Sequence, residues 1–265
     1  MNPLDIAMGI TDFAMATVSR SLPARERLDN CRIVSHRGEH DQRNIKENTQ
    51  AAFRRAHANG VWGIELDIRF TVDDIPVICH DPDLYRVFGL RFTVATQTLD
   101  QLQAICPEVP TLDAVIEEFG GKLHLMLETK SEAWPRQQKR QAALQSRLAK
   151  LRPVDDFHLL SLDPDMFQRF GFLPPHCMLP VAELNIRKMS QLALKRGYAG
   201  LSGHYLLLNE RLRERHAAAG QSVGTGFPNS ENCLRRELNR GIDWIFSNDA
   251  VKLESLRQQM LTLSH

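Results

Sequence analysis

Glu65 and Asp67 stand two residues apart in Gly63–Phe70, a run rich in strand-forming residues, so both carboxylates face the same side of one strand. Ile64, Leu66 and Ile68 take the other face. On a strand facing water this pattern would leave the acids solvated. In a parallel sheet covered by helices neither face meets bulk water, and neighbouring carboxylates repel unless a cation compensates them. Glu128 closes a second apolar run, 123–127, and Lys130 shares its face. His36 and Arg37 end a third run, 32–35, while His80 follows a fourth, 75–79. Three carboxylates are hard oxygen donors of the kind Mg²⁺ or Ca²⁺ takes. Two imidazoles serve as general acid and base, and Arg37 and Lys130 can hold phosphate oxygens. The set suits phosphoryl transfer by metal-assisted displacement.

The elements that must position these groups read as a regular alternation. Candidate strands are 32–35, Gly63–Phe70, 75–79, 123–127, 157–160, 178–181, 200–202, 223–225 and 244–246. Helical patterns lie between them at 49–59, 112–118, 136–150, Ile186–Arg196, 210–219 and 231–240, most ending at a glycine or proline such as Gly60, Gly120, Pro153 or Gly197. Strands alternating with helices at this spacing predict parallel βα units, and about eight of them predict a closed TIM (β/α)8 barrel. One pair breaks the rule. Only residues 71–74 separate Gly63–Phe70 from 75–79, too few for a crossover helix, so a hairpin is expected. Its register is expected to set Glu65 opposite His80, where the carboxylates would raise the basicity of the imidazole.

With 265 residues, 43% apolar and 25% charged, the chain is long enough for one such domain over 1–265. A net charge of +1 gives no global electrostatic reason to expect nucleic acid or an anionic membrane as partner, and no nucleic acid is expected, so affinity for phosphate must be local. Five scattered cysteines without a CxxC pair suggest buried free thiols in a reducing compartment, the cytoplasm. No run is long and apolar enough for a membrane span. Residues 1–28 read as a leader helix, with Ile6, Ile10, Phe13 and Thr17 on one face. Nothing in the sequence sets an oligomeric state.

The motifs combine into a recognisable series: His36-Arg37-Gly38, Glu47-Asn48-Thr49 with an Ala-Phe helix behind it, Glu65-Leu66-Asp67, Pro76-Val77-x-x-His80-Asp81, Thr111-Leu112-Asp113 and Glu128-Thr129-Lys130. In this order and spacing the chain resembles the glycerophosphodiester phosphodiesterase family, closely over about residues 32–130 and loosely beyond. The resemblance implies a distorted TIM (β/α)8 barrel, a divalent cation (Mg²⁺ or Ca²⁺) on Glu65, Asp67 and Glu128, and His36 and His80 as the acid–base pair. It also implies that Arg37 and Lys130 contact the phosphate, and that Glu47 and Asn48 orient the groups that act directly. The expected reaction cleaves a small-molecule phosphodiester bearing a glycerol moiety and releases sn-glycerol 3-phosphate and an alcohol. Similarity to phosphatidylinositol-specific phospholipases raises a cyclic phosphate formed by the glycerol 2-hydroxyl as a first step. Either histidine fits either role, with His36 favoured as base.

The second half departs from the family pattern. Gly226-Phe227-Pro228-Asn229 stands where Trp-Thr-Val-Asn is common, Ser247-Asn248 where Thr-Asp is common, Trp244 in place of a glycine, and Ser161-Leu162 where Ser-Phe is common. Loss of the tryptophan predicts either a more open pocket or a handover of its role to Phe227, which would turn away if the chain stays extended. The alternative is that Trp244 or Trp62 fills the space. An open pocket would suit a phospholipase D-like enzyme acting on lysophospholipid or sphingomyelin. A catalytically silent phosphate-binding barrel would show a missing histidine or carboxylate, and none is missing here.

Overall fold

The chain's computed structural model describes residues 15–263. Its strands are β1 (Arg32–His36), β2 (Gly63–Phe70), β3 (Pro76–Ile78), β4 (His124–Thr129), β5 (Phe157–Ser161), β6 (Met178–Ala182), β7 (Gly200–His204), β8 (Ser222–Gly226) and β9 (Trp244–Ser247). Eight of them run parallel in a ring that closes where β1 pairs with both β9 and β2. β3 lies outside the ring, antiparallel to β2, with Ile68 opposite Ile78. The chain is a distorted TIM (β/α)8 barrel. One distortion is at the β5–β6 crossover, where the 3₁₀ segment Pro164–Phe170 replaces an α-helix. Another is the stretch from β3 to β4, which adds the helices Tyr85–Phe88 and Leu99–Ile105 before Leu112–Phe119. A final helix, Ala250–Leu263, closes the described chain.

Strand alternation sorts the side chains into two environments. Ile33, Ile64, Leu66, Leu125, Leu127 and Ile245 point outward into the main core beneath the helices. Val34, Met126, Leu160, Leu179, Trp244 and Phe246 form a separate cluster inside the ring. Each full burial of such a side chain contributes roughly 1.5–3 kcal/mol, so register is strongly specified: a slip of one residue would exchange the two sets. Two residues beyond the interior positions Val34, Met126 and Phe246 come His36, Glu128 and Asn248. The inward parity that packs the core therefore also delivers the polar groups to the C-terminal mouth.

The hairpin is pinned from outside. Thr71 N–H donates to Ile75 O at 3.1 Å, and the buried Asp74 carboxylate receives Arg140 Nε at 2.9 Å and Arg136 Nε at 2.6 Å. The register differs slightly from the sequence expectation. The last cross-strand hydrogen bond runs from Cys79 N–H to Asp67 O, 2.9 Å, so His80 lies toward Asp67 rather than Glu65. Trp62 and Trp244 sit at the opposite end of the barrel from the polar groups, where Trp62 stacks on His124 and Trp244 packs edge-on against His158. Neither fills the space left by Gly226. Half of the leader-helix assignment, residues 1–14, lies outside the described residues; the described half is not one helix, since residues 18–24 are non-helical before the helix Arg25–Asp29. From residue 15 onward the segment is tied to Glu231–Asn239, through Asn232 to Ala16 O and Arg235 to Arg20 O. All five cysteines are buried free thiols, and no helix among the described residues is long and apolar enough to cross a membrane.

Candidate active site

β2 and β4 are hydrogen-bonded with Asp67 opposite Glu128, which brings Glu65, Asp67 and Glu128 together with oxygens all within 4.8 Å of one another. All three are buried. Burial, then the charges of Asp67 and Glu128, push the Glu65 carboxyl well above the ordinary carboxylate range. Burial also pushes Asp67 up, but the adjacent Lys130 and Arg37 outweigh it and hold Asp67 at about 2. Lys130 Nζ lies 2.5 Å from Asp67 Oδ1 and also bonds Glu128. Glu65 receives the backbone N–H of Arg37 on Oε2 at 3.2 Å, while its Oε1 is buried without a hydrogen-bond partner. Three buried carboxylates facing the cations Arg37 and Lys130, one of them with an unsatisfied oxygen, fit a hard divalent cation.

The two histidines stand on either side of this cluster, each fixed at Nδ1. His36 Nδ1 is 2.7 Å from Asn248 Oδ1, an amide, and its Nε2 is 3.8 Å from Glu65 Oε2. His80 Nδ1 is 2.6 Å from Asp81 Oδ1, a carboxylate. The expected gain in basicity does not win. Burial, reinforced for His36 by Arg37, lowers it to about 4, and burial also lowers His80 although Asp67 pulls the other way. Desolvation of the imidazolium exceeds the attraction of the carboxylates because lysine and arginine already neutralise part of their charge.

The His36-Arg37-Gly38 turn has a steric reason. Arg37 adopts φ 58° and Gly38 φ 77°, and a Cβ on Gly38 would come within 2.7 Å of Ala52 Cβ and 2.8 Å of Phe53 Cδ1. Only glycine lets the turn lie on helix Gln50–Ala58, which Thr49 caps through Ala52 N–H. Glu47 Oε1 receives Arg37 Nη1 at 3.0 Å, and Asn48 Nδ2 donates to Asp67 Oδ2 at 2.7 Å. Glu47 thus touches Arg37, and Asn48 touches Asp67. Three contributors were not foreseen. Arg86 bonds Asp81 Oδ2 at 2.6 Å and both oxygens of Glu47, linking the His80 side of the mouth to the Arg37 side. Asp81 carries the His80 ring, and Asn248 that of His36. Parity offered a signal for Asn248, two residues beyond Phe246 on a strand that neighbours β1. Arg86 follows Asp81 on a short helix with no periodic cue.

Above the cluster opens a cavity of about 470 Å³. One side is polar: His36, Arg37, Glu65, His80, Glu128 and Lys130. Leu160, Leu162, Val181, Leu184, Leu206 and Phe227 also line the cavity. Phe227 is not turned away, for its ring centroid is 4.7 Å from that of His36. β8 ends at Gly226, so strand alternation no longer governs the next side chain.

Residues 36–252 match the Glycerophosphoryl diester phosphodiesterase family. Human Glycerophosphodiester phosphodiesterase 1 is 31% identical over 145 residues, covering 49% of this chain and 43% of that protein, so the match spans under half of the relative's length. The Glycerophosphodiester phosphodiesterase of Bacillus altitudinis is 25% identical over 247 residues, 86% of this chain and 99% of that one. An Oleispira antarctica phosphodiesterase, solved in complex with the product sn-glycerol-3-phosphate, shares the fold at a TM-score of 0.73 with 24% identity, covering 86% and 96% of the two chains.

Proposed function

The chain belongs to the glycerophosphoryl diester phosphodiesterase family, and on that premise we propose that it hydrolyses glycerophosphodiesters to sn-glycerol 3-phosphate and an alcohol. The observation that carries this reading is the convergence, at one barrel mouth, of Glu65, Asp67 and Glu128 with two histidines anchored at Nδ1. The product named for the Oleispira antarctica structure supports the same reaction. The five buried thiols support a reducing compartment, the cytoplasm, as its place.

Glu65, Asp67 and Glu128 would hold Mg²⁺ or Ca²⁺, which supplies positive charge to a non-bridging phosphate oxygen. Arg37 and Lys130 take the remaining phosphate charge, and both already face the carboxylates from the cavity wall. The histidines differ in their partners, and that supports a division of labour. His36 donates Nδ1–H to a neutral amide and keeps Nε2 as a proton acceptor for the attacking hydroxyl, whether water or the glycerol 2-hydroxyl. His80 is backed by the Asp81 carboxylate, which stabilises an imidazolium able to protonate the leaving alkoxide as its P–O bond breaks. A silent barrel is disfavoured because every one of these groups is present and oriented.

The test is release of sn-glycerol 3-phosphate from glycerophosphocholine and glycerophosphoethanolamine, in EDTA and after adding back Mg²⁺ or Ca²⁺. Product that disappears in EDTA and returns with either cation is expected. Product indifferent to EDTA would remove the cation from the reading, and none under any condition would remove hydrolysis. Asn48 gives a finer check. It fixes Asp67 through one hydrogen bond, and losing such a partner typically weakens metal affinity by roughly 10–100-fold. Asn48→Ala is expected to do so in calorimetric titration. An unchanged affinity would mean that Asp67 needs no such support.

A further inference from the structure

A general acid works only while its proton is aimed at the leaving oxygen, so the group that fixes the ring matters as much as the ring. His80 Nδ1 is 2.6 Å from Asp81 Oδ1, which makes the direction of the imidazole depend on how that carboxylate is held. Arg86 holds it from behind. Its Nε lies 2.6 Å from Asp81 Oδ2, while Nη1 and Nη2 reach Glu47 Oε2 and Oε1 at 3.0 and 2.6 Å. One planar guanidinium thus serves two carboxylates from two of its edges, which an ammonium group cannot reproduce. Glu47 is the fixed end of this link. It is buried and also receives Arg37 Nη1 at 3.0 Å and Gln42 Nε2. Burial pushes its carboxyl up, but Arg86, Arg37 and Gln42 outweigh burial and hold it at about 2. The backbone beneath Arg86 is tied down as well. Tyr85 N–H donates to Asp83 Oδ1 at 2.8 Å and Val94 N–H to Pro82 O at 2.9 Å. Leu84 and Val94, on either side of the short helix, pack with Val77 and Cys79 in a core of their own.

We propose that Arg86 is a positioning residue of the reaction: it clamps Asp81 against the buried Glu47, so that the His80 imidazolium stays aimed at the leaving alkoxide. The inference rests on the phosphodiesterase reading and adds to it a residue that acts through another. His80, Asp81, Arg86, Glu47 and Arg37 form one continuous chain of contacts, so the acid and the phosphate-holding arginine share a support. The two ends depend on Arg86 unequally. Without it Glu47 keeps Arg37 and Gln42, and Arg37 keeps Asp67, 3.5 Å from its Nε. Asp81 loses the partner of its second oxygen and is free to rotate away from the ring. The acid should therefore fail while the phosphate is still held.

The experiment measures kcat and KM separately for wild type, Arg86→Ala, Arg86→Lys, Asp81→Asn and the double variant Arg86→Ala/Asp81→Asn. The substrates are glycerophosphocholine and a glycerophosphodiester of 4-nitrophenol, whose leaving group needs no protonation. Arg86→Ala should lose roughly 10–100-fold in kcat on glycerophosphocholine, the usual size for a lost supporting partner, with KM little changed. On the nitrophenyl substrate most of that loss should vanish. Arg86→Lys, which keeps the stem and the charge, should stay impaired, because its ammonium cannot bridge both carboxylates. The side chain is 47% exposed, so added guanidinium ion should restore part of the Arg86→Ala activity and ammonium should not. The double variant should be little worse than Asp81→Asn alone, as expected of residues acting in series. Equal losses on both substrates, a raised KM with kcat kept, or losses that multiply in the double variant overturn the inference and leave the phosphodiesterase reading intact. Wild-type protein that hydrolyses neither substrate overturns both.

Discussion

Exchanging Glu65→Gln and Asp67→Asn together is expected to lower Mg²⁺ and Ca²⁺ affinity by roughly two orders of magnitude or more, because hard cations are held by ligand charge and count. The single variant Glu65→Gln supplies a control against unfolding. Glu65 is buried beside two other carboxylates, and its raised pKa means that the folded state binds its proton more tightly than the unfolded chain does. With a raised acid pKa, stability falls as pH climbs past the unfolded value, so ionised Glu65 is a cost at neutral pH. The cation-free Glu65→Gln protein is therefore expected to melt at or above wild type at neutral pH. The advantage should fade in acid, where wild-type Glu65 is protonated as well. Titration calorimetry in EDTA-stripped buffer and melting curves at several pH values measure both. Undiminished affinity in the double variant would move the cation elsewhere. A Glu65→Gln protein that melts well below wild type would show the carboxylate to be structural.

The second large effect concerns the histidines. Losing a general acid or base typically costs 10²–10⁴-fold, and His36→Ala and His80→Ala are each expected to fall in that range in kcat. If the two serve one reaction, the double variant should lose far less than the product of the single losses. The partners offer a further distinction. Asn248→Ala frees His36 Nδ1, and Asp81→Asn removes the charge behind His80. The first should act mainly through ring orientation, the second through the imidazolium. On substrates with an activated leaving group that needs no protonation, the Asp81→Asn defect should shrink and the Asn248→Ala defect persist. Activity near wild type in either alanine variant would strike that histidine from the mechanism.

The sequence by itself determined the barrel and most of its polar mouth, for reasons that are local. Alternating apolar residues in Gly63–Phe70 announced one face for Glu65 and Asp67, and the four-residue gap before β3 excluded a crossover helix. The turn at Gly38 was legible as a motif, although its cause, contact with Ala52 and Phe53, needed coordinates. Other features came only with the tertiary structure. Asn248 meets His36 across 212 residues of chain because the ring closes β9 against β1. Arg86 joins Asp81 to Glu47 because a short helix folds back over the mouth. The sign of the histidine shifts depended on burial against competing charges, a balance that spacing does not report. The side to which Phe227 turns hung on whether the chain stays extended past Gly226, and β8 ends one residue before it. Leu162, Leu184, Leu206 and Phe227 are unremarkable one at a time in the sequence. They line one cavity because every parallel strand of a closed barrel delivers its C-terminal end to the same mouth.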